Sequence, residues 1–393
     1  MKVYLDHAAT TPCDGRVVQK MLPYFSDQFG NADSQHAFGR EAAKHVAQAR
    51  ADIATAINCA ANEIYFTASG TEADNWALKG GALARQSKGK HVIISSIEHH
   101  AILNSADWLE KEGFKVTRLP VDETGIVRPE YLENAIDDQT SVVSVMYVNN
   151  EVGTIQPVKQ LAEITHSRGA LFHTDCVQAM PYLEVDVKKL DADMISMSAH
   201  KFYGPKGVGA LYIRNGVKID KLIHGGGQER SQRGGTTNTP AVVGMAEALK
   251  IAVAERQQNN AKIAALRDRF VERVEKEIPY VRFNGNRQHR IPSVANFSFE
   301  FVEGEGILML MDFNGIAVSS GSACSSGSLD PSHVLLAMGV PVEISHGSIR
   351  FSFGKDNTAE EVDYVVDKLK DTIQKLRAMS PLFNLKNGGT YNV

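Results

Sequence analysis

ADMISMSAHKFYGPKGVG, residues Ala192–Gly209, reads as an apolar strand ending near Ser198, then a polar cluster, then a Gly/Pro-rich turn. The cluster holds one lysine, Lys201, flanked by Ser198 and His200. Upstream, the apolar run GALF (Gly169–Phe172) closes on HTDCVQ (His173–Gln178). Asp175 therefore precedes Lys201 by 26 positions, with one strand between them. That arrangement suits pyridoxal phosphate (PLP). The lysine amine forms a Schiff base with the cofactor aldehyde, and the aspartate keeps the pyridine nitrogen protonated so that the ring acts as an electron sink. Ser198 and His200 are placed to bond the phosphate. Taken alone, the spacing is weak evidence, since a His-Lys pair is more often plain surface. The rest of the chain decides.

Working outward, strand and helix patterns alternate through the first 250 residues. HVIISS (His91–Ser96), KVTRLPV (Lys115–Val121) and the long SVVSVMYVNN (Ser141–Asn150) read as buried strands, and VGALYIR continues the series. EADNWALKGGALARQ and VKQLAEITHSRG read as helices between them. Such alternation predicts an α/β fold with a doubly wound, mostly parallel sheet. From Ala241 to about Ile278 the pattern becomes one long helix, and we place a domain boundary inside it, near Glu255. The shorter strands beyond it (ANFSFEF, GIAVSSGS, GSIRFSFG) predict a smaller α+β unit.

At 393 residues the chain exceeds the size at which one core keeps growing, in line with two domains. A hydrophobic content of 43% and a charged content of 22% are ordinary for a soluble enzyme. The net charge of −4, with no basic block, argues against nucleic acid or an anionic membrane as main partner. No apolar run reaches transmembrane length. The start, MKVYLDHAATTP, carries Asp6 and His7 where a signal peptide has its apolar core. Cys13, Cys59, Cys176 and Cys324 stand far apart, which excludes a C-x-x-C zinc site and points to a reducing cytoplasm.

Six further stretches carry chemistry. FTASGTEADN (Phe66–Asn75) runs from a strand through a turn into a helix, where free N–H groups favour a phosphate; Gly70 lets the backbone approach and Thr71 adds a hydroxyl. The plain alternative is a Ser/Thr helix cap. SSIEHHA (Ser95–Ala101) sets His99 just beyond a strand, where an imidazole can stack on a cofactor ring and move protons; His100 reads as structural. VNNEVGTIQP (Val148–Pro157) offers Asn150, which with Gln178 can bond the cofactor's phenolic oxygen. GGGQERSQRGGTTNTP (Gly225–Pro240) is glycine-dense, and Thr236 within it suits an anion. SSGSACSSGS (Ser319–Ser328) surrounds Cys324 with small residues, as an exposed nucleophilic thiol requires. Arg350, in the strand-like GSIRFSFG, has the fork that a substrate carboxylate fits.

Together with YLDHAATTP (Tyr4–Pro12), EHHA, NNEVGTIQP and RGGT, these motifs follow one another as in the cysteine desulfurases of the NifS/IscS type, which the chain resembles over nearly its whole length. The resemblance implies the PLP-dependent transferase fold of aspartate aminotransferase. Its large domain would span residues 15–255, and its small domain residues 1–14 and 256–393. Lys201 would hold PLP, Asp175 would face the pyridine nitrogen, and Gln178 and Asn150 the phenolic oxygen. His99 would stack on the ring. Gly70, Thr71, Ser198 and His200 would cradle the phosphate, with Thr236 reaching across a homodimer. Cys324 would accept sulfur from L-cysteine as a persulfide, leaving alanine. Arg350, helped by Asn31, would bind the substrate carboxylate. No resident metal is implied, although Cys324 would be free to ligate a cluster transiently on an iron–sulfur scaffold protein, the expected acceptor. The loop resembles the longer kind of the NifS/IscS group.

Cys176 stands where alanine is common in the family, where it would either fill space or set a reactive thiol beside the cofactor, and Ala32 stands where proline is usual. After Met379 the helical pattern lapses, and Leu382, Phe383 and Leu385 are expected to serve partner docking, the alternative being that they fold back onto the protein's own surface. Cys324 argues against a plain aminotransferase; selenocysteine lyase activity at the same site stays open.

Overall fold

The computed structural model describes residues 1–320 and 331–386. Its strands are β1 (Val3–Tyr4), β2 (Ile64–Thr67), β3 (His91–Ser95), β4 (Lys115–Leu119), β5 (Thr140–Ser144), β6 (Leu171–Asp175), β7 (Met194–Ser198), β8 (Gly209–Ile213), β9 (Val281–Asn284), β10 (Val294–Phe299), β11 (Ile316–Ala317) and β12 (Ser348–Ser352). Seven form one sheet in the order β2-β8-β7-β6-β5-β3-β4. Its strands are parallel except β8, which runs against both neighbours. All five residues of β3, β5, β6, β7 and β8 are buried, because both faces are covered. Alternate residues serve opposite faces: Val92 and Ile94 pack with Trp76, Ile102 and Leu109, while Ile93 joins the cluster of Ile53, Leu161 and Met245.

The helix Thr239–Glu277 runs unbroken through Glu255. Its buried face stops at Leu249 and resumes at Ile263, so one half lies on the large sheet's helices and the other on a second sheet. That second sheet is antiparallel, in the order β12-β10-β9. Phe270 fills the space against it, with Phe351 and Phe353 at ring-centroid distances of 4.6 and 5.5 Å. The chain's first residues join this part of the molecule: β1 pairs in parallel with β11, and Asp6 bridges to Ser352.

Three expectations change in detail. The long strand foreseen at Ser141–Asn150 ends at Ser144. The Val145 and Tyr147 N–H groups still bond to the His173 and Asp175 carbonyls, and Asn149 Oδ1 then accepts the N–H groups of Glu151 and Val152, a side-chain turn that leaves Asn150 on the cavity wall. The helix foreseen in EADNWALKGGALARQ contains a wider π-turn at Trp76–Gly80. The stretch after Met379 forms a short helix, Pro381–Lys386, and Phe383 packs back on Tyr280 and Phe301 of the same chain, at 6.0 and 5.7 Å.

Candidate active site

A cavity of about 460 Å³ opens at the C-terminal ends of β6 and β7, where ligands of open α/β sheets bind. Gly70, Thr71, His99, Asn150, Asp175, Gln178, Ser198, His200, Lys201 and Arg350 all line it. These residues span 280 positions of sequence; the large sheet's strand ends gather most of them, and β12 of the second sheet brings Arg350. Two further candidates lie elsewhere. Asn31 is exposed, with its side chain accepting from the Asp33 N–H, and Thr236 is exposed on its own loop; neither lines the cavity of its own chain. Cys324 lies outside the described residues. Ser319, five positions earlier, lines the cavity and exchanges backbone bonds with Arg350.

Asp175 ends β6, and its Oδ1 accepts the Val177 N–H at 2.7 Å. Burial pushes its pKa up to about 6, while that N–H and nearby Lys201 pull it down. Asp74, fully buried beside it, is pushed well above the carboxylate range by burial and then by the charge of Asp175. The pair therefore holds one negative charge at neutral pH, which the contacts assign to Asp175. Lys201 follows β7, and its Nζ donates to the carbonyls of Ala8 and Ala9 at 2.6 and 2.8 Å. Gln178 Nε2 donates to the same Ala8 carbonyl. The Tyr4–Pro12 segment thus folds over the lysine, and Thr10 Oγ1 meets His200 Nδ1 at 3.1 Å.

His99 caps the helix His100–Lys111, its Nδ1 accepting the Ala101 N–H. The proton of the neutral ring then sits on Nε2. Burial, aided by Lys201, lowers its pKa to about 4, so the ring is neutral at physiological pH. His100 turns away and meets His333 at 4.9 Å. Arg350 is 3% exposed on β12. Its Nη2 pairs with Asp6 at 3.0 Å, its Nη1 donates to the Asn150 carbonyl at 3.1 Å, and its buried Nε has no hydrogen-bond partner among the described residues. Cys176 does not line the cavity: it is fully buried in the core, and burial holds its thiol well above the usual range, which keeps it protonated and inert.

The family model described as aminotransferase class-V matches residues 3–365. The chain belongs to that family. Two similar relatives are both called cysteine desulfurase IscS. That of Clostridium botulinum is 52% identical over 97% of each chain. That of Methanosarcina thermophila is also 52% identical, over 97% of this chain and 94% of its own. A solved NifS-like protein superposes with a TM-score of 0.90 at 40% identity, covering 96% of this chain and all of the other.

The family is PLP-dependent, and the cavity's own features test whether that cofactor fits. A Cβ on Gly70 would stand 2.9 Å from Val177 Cγ2 and 3.2 Å from Ser198 Cβ, so the cradle accepts only a bare backbone there. Asp74 Oδ1, on the cavity wall, is buried with no hydrogen-bond partner among the described residues, His173 Nε2 standing 3.8 Å away. An amine, an ionised carboxylate and a hydroxyl-lined helix start share one space of suitable volume. The residues fit PLP. Sequence reasoning left out Asp74 and Glu98, both buried carboxyls, and the Asp6 partner of Arg350. Asp74 stands within FTASGTEADN and Asp6 within YLDHAATTP, but a carboxyl's burial has no sequence signature.

Proposed function

We propose that this chain is a PLP-dependent cysteine desulfurase, which takes sulfur from L-cysteine, releases L-alanine and passes the sulfur on through Cys324. The observation that carries this is the single cavity holding Lys201, Asp175, His99 and Arg350 in a chain half identical to cysteine desulfurases. PLP, when bound, supplies an electron sink that weakens bonds around the substrate's α-carbon. Lys201 would hold it, Asp175 would face its pyridine nitrogen, Asn150 and Gln178 its phenolic oxygen, and Gly70, Thr71, Ser198 and His200 its phosphate.

The protein's residues then divide the work. Arg350 binds the substrate carboxylate through its fork, with Nε ready to donate. Lys201 Nζ takes the α-proton as general base, its carbonyl partners Ala8 and Ala9 keeping it at the cavity wall. Neutral His99, held by the Ala101 N–H, presents Nε2–H toward the cavity and serves proton traffic there. The Cys324 thiolate bonds to the substrate sulfur as the Cβ–Sγ bond breaks, Cβ takes a proton, and alanine leaves. The persulfide passes to an iron–sulfur scaffold or another thiol acceptor.

Residues 15–255 form the cofactor-binding part in this reading, and residues 1–14 and 256–393 the part that carries Arg350 and Cys324. The active form is a homodimer in which Thr236, exposed on its own chain, reaches a second copy's phosphate site, and Asn31 serves the substrate. The enzyme works in the cytoplasm. No helix among the described residues is long and apolar enough to cross a membrane. Incubation with L-cysteine, scoring alanine and Cys324 persulfide by mass spectrometry, tests the reading. Purified protein should be yellow, and Lys201→Ala should lose covalent PLP. A colourless protein that cannot be reconstituted with PLP sinks it.

A further inference from the structure

Arg350 is a buried cation, and the structure already gives it an anion. Asp6 Oδ1 lies 3.0 Å from Nη2, with the arginine side chain 4% exposed and the aspartate 20% exposed into the cavity. Asp6 is not a loose surface carboxylate. The Leu5 N–H donates to Ala317, the Leu5 carbonyl accepts from Ser352, and the Asp6 carbonyl accepts from Ala9 and from Tyr4 Oη. Backbone bonds on both sides therefore hold its main chain in place beside Arg350, whose Nη2 its carboxylate meets. Among the described residues the guanidinium is not saturated: two of its five N–H groups make the bonds described, and buried Nε has no hydrogen-bond partner there.

A carboxylate that binds this fork arrives beside Asp6. Two anions then face one guanidinium in a confined, partly desolvated place, where like charges repel strongly. A simple monoanion adds a net negative charge and meets that repulsion in full. An α-amino acid brings its own ammonium one carbon from its carboxylate and adds no net charge.

Resting on the reading of Arg350 as the carboxylate-binding residue, we propose that Asp6 is a specificity-determining residue. It stands in for the substrate carboxylate between turnovers, and it selects zwitterionic α-amino acids over simple anions at Arg350. It neutralises the arginine when no substrate is bound, so chloride, phosphate and free carboxylates gain little by entering. It yields part of the guanidinium to a ligand that carries its own compensating charge.

The test compares L-cysteine with 3-mercaptopropanoate, which has the same thiol and carboxylate but no ammonium, on PLP-loaded enzyme. In Asp6→Asn an amide oxygen still accepts from Nη2, while the charge is gone. Its KM for cysteine should fall severalfold with kcat little changed. The inhibition constant of 3-mercaptopropanoate should fall more, so that the ratio of the two drops by roughly tenfold. Inhibition by chloride and phosphate should rise in parallel. Asp6→Glu keeps the charge and should keep the wild-type ratio; it carries the test if Asp6→Asn does not fold. A raised cysteine KM with an unchanged ratio in Asp6→Asn overturns the proposal, leaving Asp6 as a brace for Arg350. A collapsed ratio in Asp6→Glu also overturns it. Arg350→Ala separates the two readings. If it leaves the cysteine KM unchanged, the role of Arg350 itself fails; if it raises KM while Asp6→Asn leaves the ratio alone, only the selection by Asp6 fails.

Discussion

Gly70→Ala probes the cofactor cradle with one methyl group. The new Cβ would stand 2.9 Å from Val177 Cγ2 and 3.2 Å from Ser198 Cβ, both closer than ordinary contact. Neither neighbour yields easily. Ser198 is buried at the end of β7, and Val177 is β-branched, so no long side chain can swing aside. Val177 is also tied to the cofactor's charge partner, because its N–H donates to Asp175 Oδ1 at 2.7 Å. Pushing Val177 away therefore loosens Asp175 as well as narrowing the phosphate site. Overpacking of this kind costs about 1–3 kcal/mol. If all of it fell on cofactor binding, affinity for PLP would drop by roughly 5- to 150-fold. Fluorescence titration of the apoprotein with PLP reads the affinity, and thermal unfolding with and without PLP reads the share borne by the fold. The double variant Gly70→Ala/Val177→Ala, which removes the obstructing methyl, should recover much of the loss. Wild-type PLP affinity in Gly70→Ala, or no recovery in the double variant, would refute the reasoning.

Glu98 is buried between Ser95 Oγ and the Met146 N–H, and burial raises its pKa to about 8 from an unfolded value near 4.5. The unfolded carboxyl ionises first, so stability falls as pH rises between those values. Glu98→Gln should remove that slope, its advantage over wild type growing by roughly 1.4 kcal/mol per pH unit across the window, as read by denaturant unfolding of the apoprotein; parallel curves would contradict the burial argument. His99, lowered to about 4, should stay neutral until well below pH 6, so an NMR titration of its ring should show no midpoint near the ordinary 6.5. Cys324→Ala should still bind PLP and cysteine but release little alanine; wild-type turnover would move the acceptor role elsewhere. Arg350→Ala should raise the cysteine KM while leaving PLP bound, and Arg350→Lys should restore it only in part, because lysine lacks the fork.

Much of this site was legible in the sequence because PLP chemistry demands particular residue types at strand ends. Asp175 and Lys201 close two neighbouring strands, and their distance apart follows from the length of a strand and its connection. Gly70 was legible for the same reason, since a helix start that holds phosphate needs a bare backbone. The alternation of apolar runs fixed the parallel sheet, because strands buried on both faces leave no polar positions. Sequence could not decide where carboxyls lose their water. Asp74 and Glu98 look like ordinary helix-start acids in the chain, and burial by residues distant in sequence makes them neutral. Of the two roles open to Cys176, filling space or reacting beside the cofactor, its place in the core supports the first, because successive side chains alternate at a strand end: Asp175 and Val177 reach the cavity and the residue between them does not. Asn31 and Thr236 stay outside their own chain's cavity, a matter of three-dimensional reach that no local pattern encodes. Asp6 and Arg350 stand 344 positions apart, and only the pairing of β1 with β11 and the bridge from Asp6 to Ser352 set them face to face. Residue type declared the chemistry; tertiary packing decided charge state and partner, because both depend on what excludes water around each group.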